Sequence, residues 1–152
     1  MSQAKLLVPK FSALSKPREL RATFAPRTCP LRVFQRILLV EDSQSIRRLC
    51  SKVLIRSGYQ VDTAEDGAAG LRALRAARHD PDSFVLLIND NEMPRLSGLD
   101  LIQQLHIEHL DLPVILASGS VPAQTEQLRL AAILPKPFSA DQLLQVVNEI
   151  LN

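Results

Sequence analysis

Two cysteines, Cys29 and Cys50, are all that 152 residues offer. A disulfide framework needs more, and their spacing matches no zinc motif. They read as two unpaired thiols in a reducing compartment. The chain also lacks any apolar run of about 18 residues, the least that a membrane-crossing helix requires. Met1 to Lys10 has neither the long apolar stretch nor the small-residue cleavage site of a secretory signal. No segment repeats, which excludes a solenoid. The expected setting is cytoplasmic.

What is present is an apolar content of 46%, enough for a real core in one domain. The net charge of +2 hides an asymmetry. Residues 1–36 carry eight bases against one acid, net +7, and residues 37–152 carry ten against fifteen, net −5. Four of the ten prolines, Pro9, Pro17, Pro26 and Pro30, also fall in the first 35 residues. No apolar period is sustained there, so residues 1–35 are expected to be a disordered or weakly ordered extension and residues 36–152 the domain. Three roles are open to the extension. It is dispensable, or it is an Arg-rich, acid-poor organelle-targeting peptide, or it binds nucleic acid or anionic lipid by charge. The first is preferred, because scattered bases among prolines make no amphipathic helix and no nucleic-acid module.

From Arg36 the pattern is regular. Apolar runs at Arg36–Val40, Tyr59–Ala64, Phe84–Ile88, Pro113–Ala117 and Ile133–Pro135 read as five strands. Helical spacing fills the intervals. Ser43 is a candidate N-cap for a helix with Ile46, Leu49, Val53 and Leu54 inward, stopped by Gly58. Asp66 opens a second helix with Ala68, Leu71 and Leu74 inward. Leu99 to His109 makes a third, and a short helix follows Pro122. Ser139 with Gln142 forms a capping box before a last helix through Leu143, Val147 and Ile150. Strict alternation of strand and helix predicts an α/β fold, a flavodoxin-like (βα)5 doubly wound parallel sheet of order 2-1-3-4-5.

In that order the ends of strands one, three, four and five are neighbours. Glu41 and Asp42 follow the first, Asn89-Asp90 the third, Ser118-Gly119 the fourth and Lys136-Pro137 the fifth. One rim therefore gathers three carboxylates, a hydroxyl and an ammonium. Carboxylates this close raise one another's pKa unless something neutralises them. A hard cation such as Mg2+ does so and suits a phosphate partner. Asp90 can then act as a nucleophile toward phosphorus, with Mg2+, Lys136 and Ser118 sharing the equatorial oxygens.

Val40-Glu41-Asp42, Asp90-Asn-Glu-Met93-Pro94, Ala117-Ser118-Gly119 and Lys136-Pro137-Phe138 together resemble the response-regulator receiver domain. Asp66-Gly67 and Gly98 fit the same pattern, and the resemblance covers Arg36 to Asn152. It implies a switch, not a turnover enzyme, that takes a phosphoryl group onto Asp90 from a histidine kinase or histidine phosphotransfer protein. It implies that Asp42 ligates Mg2+ directly, that Glu41 does so largely through water, and that the main-chain carbonyl of Glu92 is a further ligand. Ser118 is implied to move toward the phosphoryl group, Lys136 to pair with it, and the Lys136-Pro137 bond to be cis. No output domain is expected after Asn152, so the signal is expected to leave through protein contact, with no DNA-binding domain.

Two features depart from the family. Ile133 stands where Tyr or Phe often rotates between states. The stretch from Ser118 to Lys136 is short by about one helical turn, as in some receivers of hybrid histidine kinases. These departures motivate one rival, a binding module that keeps the fold without the switch. A second rival is an Mg2+-dependent phosphatase of the haloacid-dehalogenase type, but its nucleophile follows the first strand. Blander readings also stand beside the site. Glu41-Asp42 can be a charge pair at a helix start, Ser118-Gly119 a turn, Glu92 an exposed loop acid or a neighbour of the entering water, and His106 and His109 surface residues.

Overall fold

A computed structural model of the protein describes residues 34–123 and 125–152. The extension expected over residues 1–35 lies outside the described residues except for Phe34 and Gln35, and Cys29 lies outside with it. Among the described residues, β1 (Arg36–Val40), α1 (Gln44–Arg56), β2 (Gln60–Ala64), α2 (Gly67–Ala76), β3 (Leu86–Asp90), α3 (Gly98–Ile107), β4 (Val114–Ser118), β5 (Ala132–Pro135) and α4 (Ala140–Leu151) follow in order. All pairings are parallel, and the strands lie β2-β1-β3-β4-β5. The doubly wound order expected from the alternation is the order observed.

Successive strand side chains point to opposite faces. Leu38, Val40, Leu87 and Leu116 face one layer, where Leu71 and Leu74 of α2 meet Leu101, Ile102 and Leu105 of α3. Ile37, Leu39, Leu86, Ile88 and Ile115 face the other, against Cys50 and Leu54 of α1 and Leu143 and Val147 of α4. A sheet covered on both faces needs apolar residues at every strand position, which is why these runs show no alternation. Each fully buried Leu or Ile contributes roughly 1.5–3 kcal/mol of transfer free energy. That core holds the strand ends in fixed register.

Caps set the helix boundaries. Asp66 accepts from the Ala69 N–H at 2.7 Å, and Ser97 with Asp100 and Ser139 with Gln142 form capping boxes at α3 and α4. Gly58, at φ +96°, takes the left-handed turn that ends α1.

Three expectations need correction. The inward stripe of α1 is narrower than Ile46, Leu49, Val53 and Leu54. Leu54 is buried, but Ile46 and Leu49 are 37% and 63% exposed, and Cys50 takes the inward place. In α2, Ala68 is exposed while Gly67 and Gly70 are buried with Leu71 and Leu74. A Cβ on Gly70 would stand 2.7 Å from Val40 Cγ2, so this helix lies close on β1. The third strand is Leu86–Asp90, two residues later than Phe84–Ile88. Phe84 is instead buried just before the strand, its ring 4.4 Å from the Arg36 guanidinium. The short helix expected after Pro122 is present as one 3-10 turn, Thr125–Gln127.

Candidate functional site

Parallel strands end on one edge of the sheet. The register sets Val40 beside Asn89, Asp90 beside Ala117 and Ser118 beside Pro135. Glu41 thus follows β1, Asp90 closes β3, Ser118 closes β4 and Lys136 follows β5, all on the same rim. Asp90 and Ser118 prove to be the last residues of their strands rather than the first of loops. Their backbones are fixed by ladder hydrogen bonds.

The side chains converge. Lys136 Nζ lies 2.6 Å from Asp90 Oδ1, 3.5 Å from Glu41 Oε2 and 3.8 Å from Glu92 Oε2. Carboxylate oxygens of Glu41, Asp42 and Asp90 all lie within 4.8 Å of one another. Glu41 and Asp90 are buried and Asp42 is exposed. Burial pushes the Glu41 carboxyl up to about 7, against the Ser43 N–H bond, and repulsion from Asp90 adds to the rise. Burial likewise raises Asp90, and Lys136 and the Glu92 N–H hold it back. Burial opposes the Lys136 ammonium, but Asp90, Glu41 and Glu92 outweigh it and raise its pKa.

Among the described residues one ammonium thus serves Glu41, Asp90 and Glu92, Asp42 adds a fourth carboxylate beside them, and two of the four resist ionising. Such a rim is short of positive charge. Its donors are all hard oxygens, with an exposed carboxylate at the mouth. That set fits a small hard divalent cation such as Mg2+ and does not suit a soft, thiolate-seeking ion. Among the described residues no other group of acidic, histidine or cysteine side chains lies close enough to hold an ion. His106 and His109 are exposed and form no such site, and Glu108 beside them pairs with Arg75.

Sequence reasoning missed several supports. Arg47, in the first turn of α1, donates to the main-chain oxygens of Glu41 at 2.6 Å and Asp42 at 3.2 Å. Its partners are main-chain oxygens, which no residue type marks, so the sequence carries no signal for it. Asn89 is fully buried and donates to the Gly98 carbonyl at 2.9 Å. The Asn91 carbonyl accepts from the Met93 and Gly98 N–H groups. These bonds and the buried Met93 fix the loop after Asp90. Gly98 is required there, since a Cβ would meet the Asp90 carbonyl oxygen at 2.6 Å and Asn91 Cα at 2.7 Å.

Glu92 was assigned a role through its main chain, but its side chain also reaches across the site. Its Oε1 accepts from the Ser118 hydroxyl at 2.6 Å and the Gly119 N–H at 3.0 Å. The Ser118 hydroxyl also lies 2.5 Å from the Ser120 carbonyl. Burial resists ionisation of Glu92, yet the Ser118 and Gly119 bonds prevail and hold its pKa below the usual range. The Lys136-Pro137 bond is cis. Ile133 is half-buried on β5, paired in register with Leu116.

Comparison with known proteins agrees with this geometry. A family model described as "Response regulator receiver domain" matches residues 37–148. The response regulator MprA of Mycobacterium leprae is 38% identical over 120 residues, covering 76% of this chain and 50% of that protein. The chain therefore spans about half the length of the curated relatives it matches. Among solved structures, the chemotaxis protein CheY4 of Vibrio cholerae superposes with a TM-score of 0.68 at 27% identity, covering 78% of this chain and 99% of that one. The response regulator TrrA of Thermotoga maritima, solved in complex with Mg2+–BeF, gives 0.67 at 29% identity and covers 78% and 100%.

Proposed function

Since this chain belongs to the response regulator receiver family, we propose that it is a signalling switch whose phosphoryl group is carried by Asp90. A receiver domain is a phosphoacceptor signalling module, not a turnover enzyme. One observation carries the assignment to Asp90. Its carboxylate is buried at the end of β3, 2.6 Å from Lys136 Nζ and within 4.8 Å of the oxygens of Glu41 and Asp42. A nucleophilic carboxylate, a cation and an acidic pair are the parts that acyl phosphate formation uses.

In the proposed reaction an Asp90 oxygen forms a bond to phosphorus as the phosphorus–nitrogen bond of a donor phosphohistidine breaks. The imidazole leaves with the electron pair and takes up a proton. Glu41, Asp42, Asp90 and the main-chain carbonyl of Glu92 would hold Mg2+, whose charge, when bound, offsets that of the phosphoryl oxygens. The Lys136 ammonium binds a second phosphoryl oxygen. The Ser118 hydroxyl and the Gly119 N–H bind a third. Among the described residues, the hydrogen bonds that the Asp90 side chain accepts land on Oδ1, from Lys136 and from the Glu92 N–H. The carboxylate is therefore oriented before the donor arrives. The likeness to TrrA, solved with Mg2+–BeF, supports this use of the rim.

We take the receiver unit as residues 36–152, with residues 1–35 an extension to it. The partners are a sensor histidine kinase or histidine phosphotransfer protein and a downstream protein reached by contact, in the cytoplasm. Among the described residues no helix is long and apolar enough to cross a membrane.

Acetyl phosphate with Mg2+ tests the assignment. Base-labile phosphate should appear on the wild type and vanish in Asp90→Asn, and none on either protein refutes it. Ile133 and the 3-10 turn between β4 and β5 favour a second reading, a binding module that does not switch. Partner affinity unchanged by beryllofluoride would support that one.

A further inference from the structure

Glu92 lies on an exposed loop, with 47% of its side chain accessible. A solvated loop acid has no need of partners, yet this one is tied to the far side of the site. Its Oε1 takes hydrogen bonds from the Ser118 hydroxyl at 2.6 Å and from the Gly119 N–H at 3.0 Å. Its Oε2 lies 3.8 Å from Lys136 Nζ. These are the three donors assigned above to the phosphoryl oxygens. The Glu92 N–H also donates to Asp90 Oδ1 at 3.1 Å. A carboxylate anchored two residues past the phosphoryl acceptor thus fills the anion-binding side of the pocket. Both groups are oxyanions that take charge-assisted hydrogen bonds, so the same donors cannot serve both.

We propose that the Glu92 side chain is an internal stand-in for the phosphoryl group. It engages Ser118 and Gly119 while Asp90 is unmodified, and it must vacate them when the phosphoryl group arrives. This rests on Asp90 being the acceptor. The group that must leave is the Glu92 side chain, already 47% accessible, and it is expelled toward solvent. Such a device needs no rotating aromatic on β5, where Ile133 stands.

Beryllofluoride with Mg2+ is the probe. Amide NMR follows it on wild type, Glu92→Ala, Glu92→Gln and Asp90→Asn. Glu92→Ala should bind beryllofluoride tighter by about tenfold or more, the scale of a lost charge-assisted competitor. Glu92→Gln, still able to accept from Ser118 and Gly119 but uncharged, should fall between. The Gly119 amide should shift little in wild type on binding, where one oxyanion replaces another, and strongly in Glu92→Ala. In the metal-free protein, hydrogen exchange at Gly119 should be faster in Glu92→Ala than in wild type. Equal affinities, or equal Gly119 shifts in wild type and Glu92→Ala, overturn the stand-in while leaving Asp90 as acceptor. Binding by none of the proteins overturns the phosphoryl-switch reading, and the stand-in falls with it.

Discussion

Lys136 Nζ sits 2.6 Å from Asp90 Oδ1 and so joins the end of β5 to the end of β3 across the intervening β4. Among the described residues it is the lone ammonium near Glu41, Asp90 and Glu92. Lys136→Ala should therefore leave buried carboxylate charge unpaired. The expected loss is about 1–2 kcal/mol, less than for a fully buried pair because Lys136 is 21% exposed. Beryllofluoride affinity should fall at least roughly tenfold, as one charged donor to the anion is gone. Urea unfolding and beryllofluoride titration measure the two effects. Retention of both would remove Lys136 from the site.

Burial of carboxyl groups in the rim makes the stability depend on pH. The fold holds the Glu41 carboxyl at about 7 against an ordinary 4.5, and Asp90 is raised as well. The folded state then binds these protons more tightly than the unfolded chain does. Their contribution is full below the ordinary carboxylate pKa and is lost as pH rises through about 7. In EDTA, the melting temperature should fall between about pH 5.5 and pH 8. Saturating Mg2+ should flatten that slope, because the cation replaces the protons. A rising melting temperature in EDTA over the same range would contradict the electrostatic account.

Two glycines beside the site should differ in their tolerance of a methyl group. In Gly98→Ala the new Cβ meets backbone of Asp90 and Asn91 at 2.6 and 2.7 Å, so the acceptor loop must move. A cost of about 1–3 kcal/mol and weaker phosphorylation are expected. At Gly119 the nearest atom is Glu92 Oε1 at 3.8 Å, and Gly119→Ala should change stability by less than about 0.5 kcal/mol. Denaturant midpoints of the two variants make the comparison.

Cys50 is a free thiol buried against the α4 layer. Burial pushes its pKa up to about 11, and the charge of Glu41 adds to the rise. Almost no thiolate exists at neutral pH, so Cys50 should be inert in the folded protein. Alkylation by iodoacetamide, followed on the Cys50 peptide by mass spectrometry, should be roughly a hundredfold or more slower in native buffer than in denaturant. Comparable rates would show that α1 opens readily.

The parts of the fold legible in the sequence are those written in local pattern. Continuous apolar runs marked β1 and β4 as buried, and Asp66 and Ser139 lie where helices begin. The rim was legible because its residues follow directly on those runs. What periodicity concealed has physical causes. In α1 two neighbouring stripes fit the apolar spacing, and Cys50, small and easily counted as polar, decides which faces inward. In α2 the inward positions Gly67 and Gly70 carry no side chain, so apolar spacing passes over them and takes Ala68 instead. The start of β3 was misread because Phe84 is buried without belonging to the strand. The reach of Glu92 to Ser118 joins residues 26 apart through loop geometry, which no spacing rule encodes.

The central claim, that Asp90 carries the phosphoryl group, is tested most directly by chemical trapping. The protein is treated with acetyl phosphate and Mg2+, reduced with borohydride and digested. An aspartyl phosphate is converted to homoserine by this reduction, and the modified residue is located by peptide mass spectrometry. The account predicts homoserine at position 90, absent when acetyl phosphate is omitted and absent in Asp90→Asn. Homoserine at position 42 or at another aspartate, with position 90 unmodified, would contradict it.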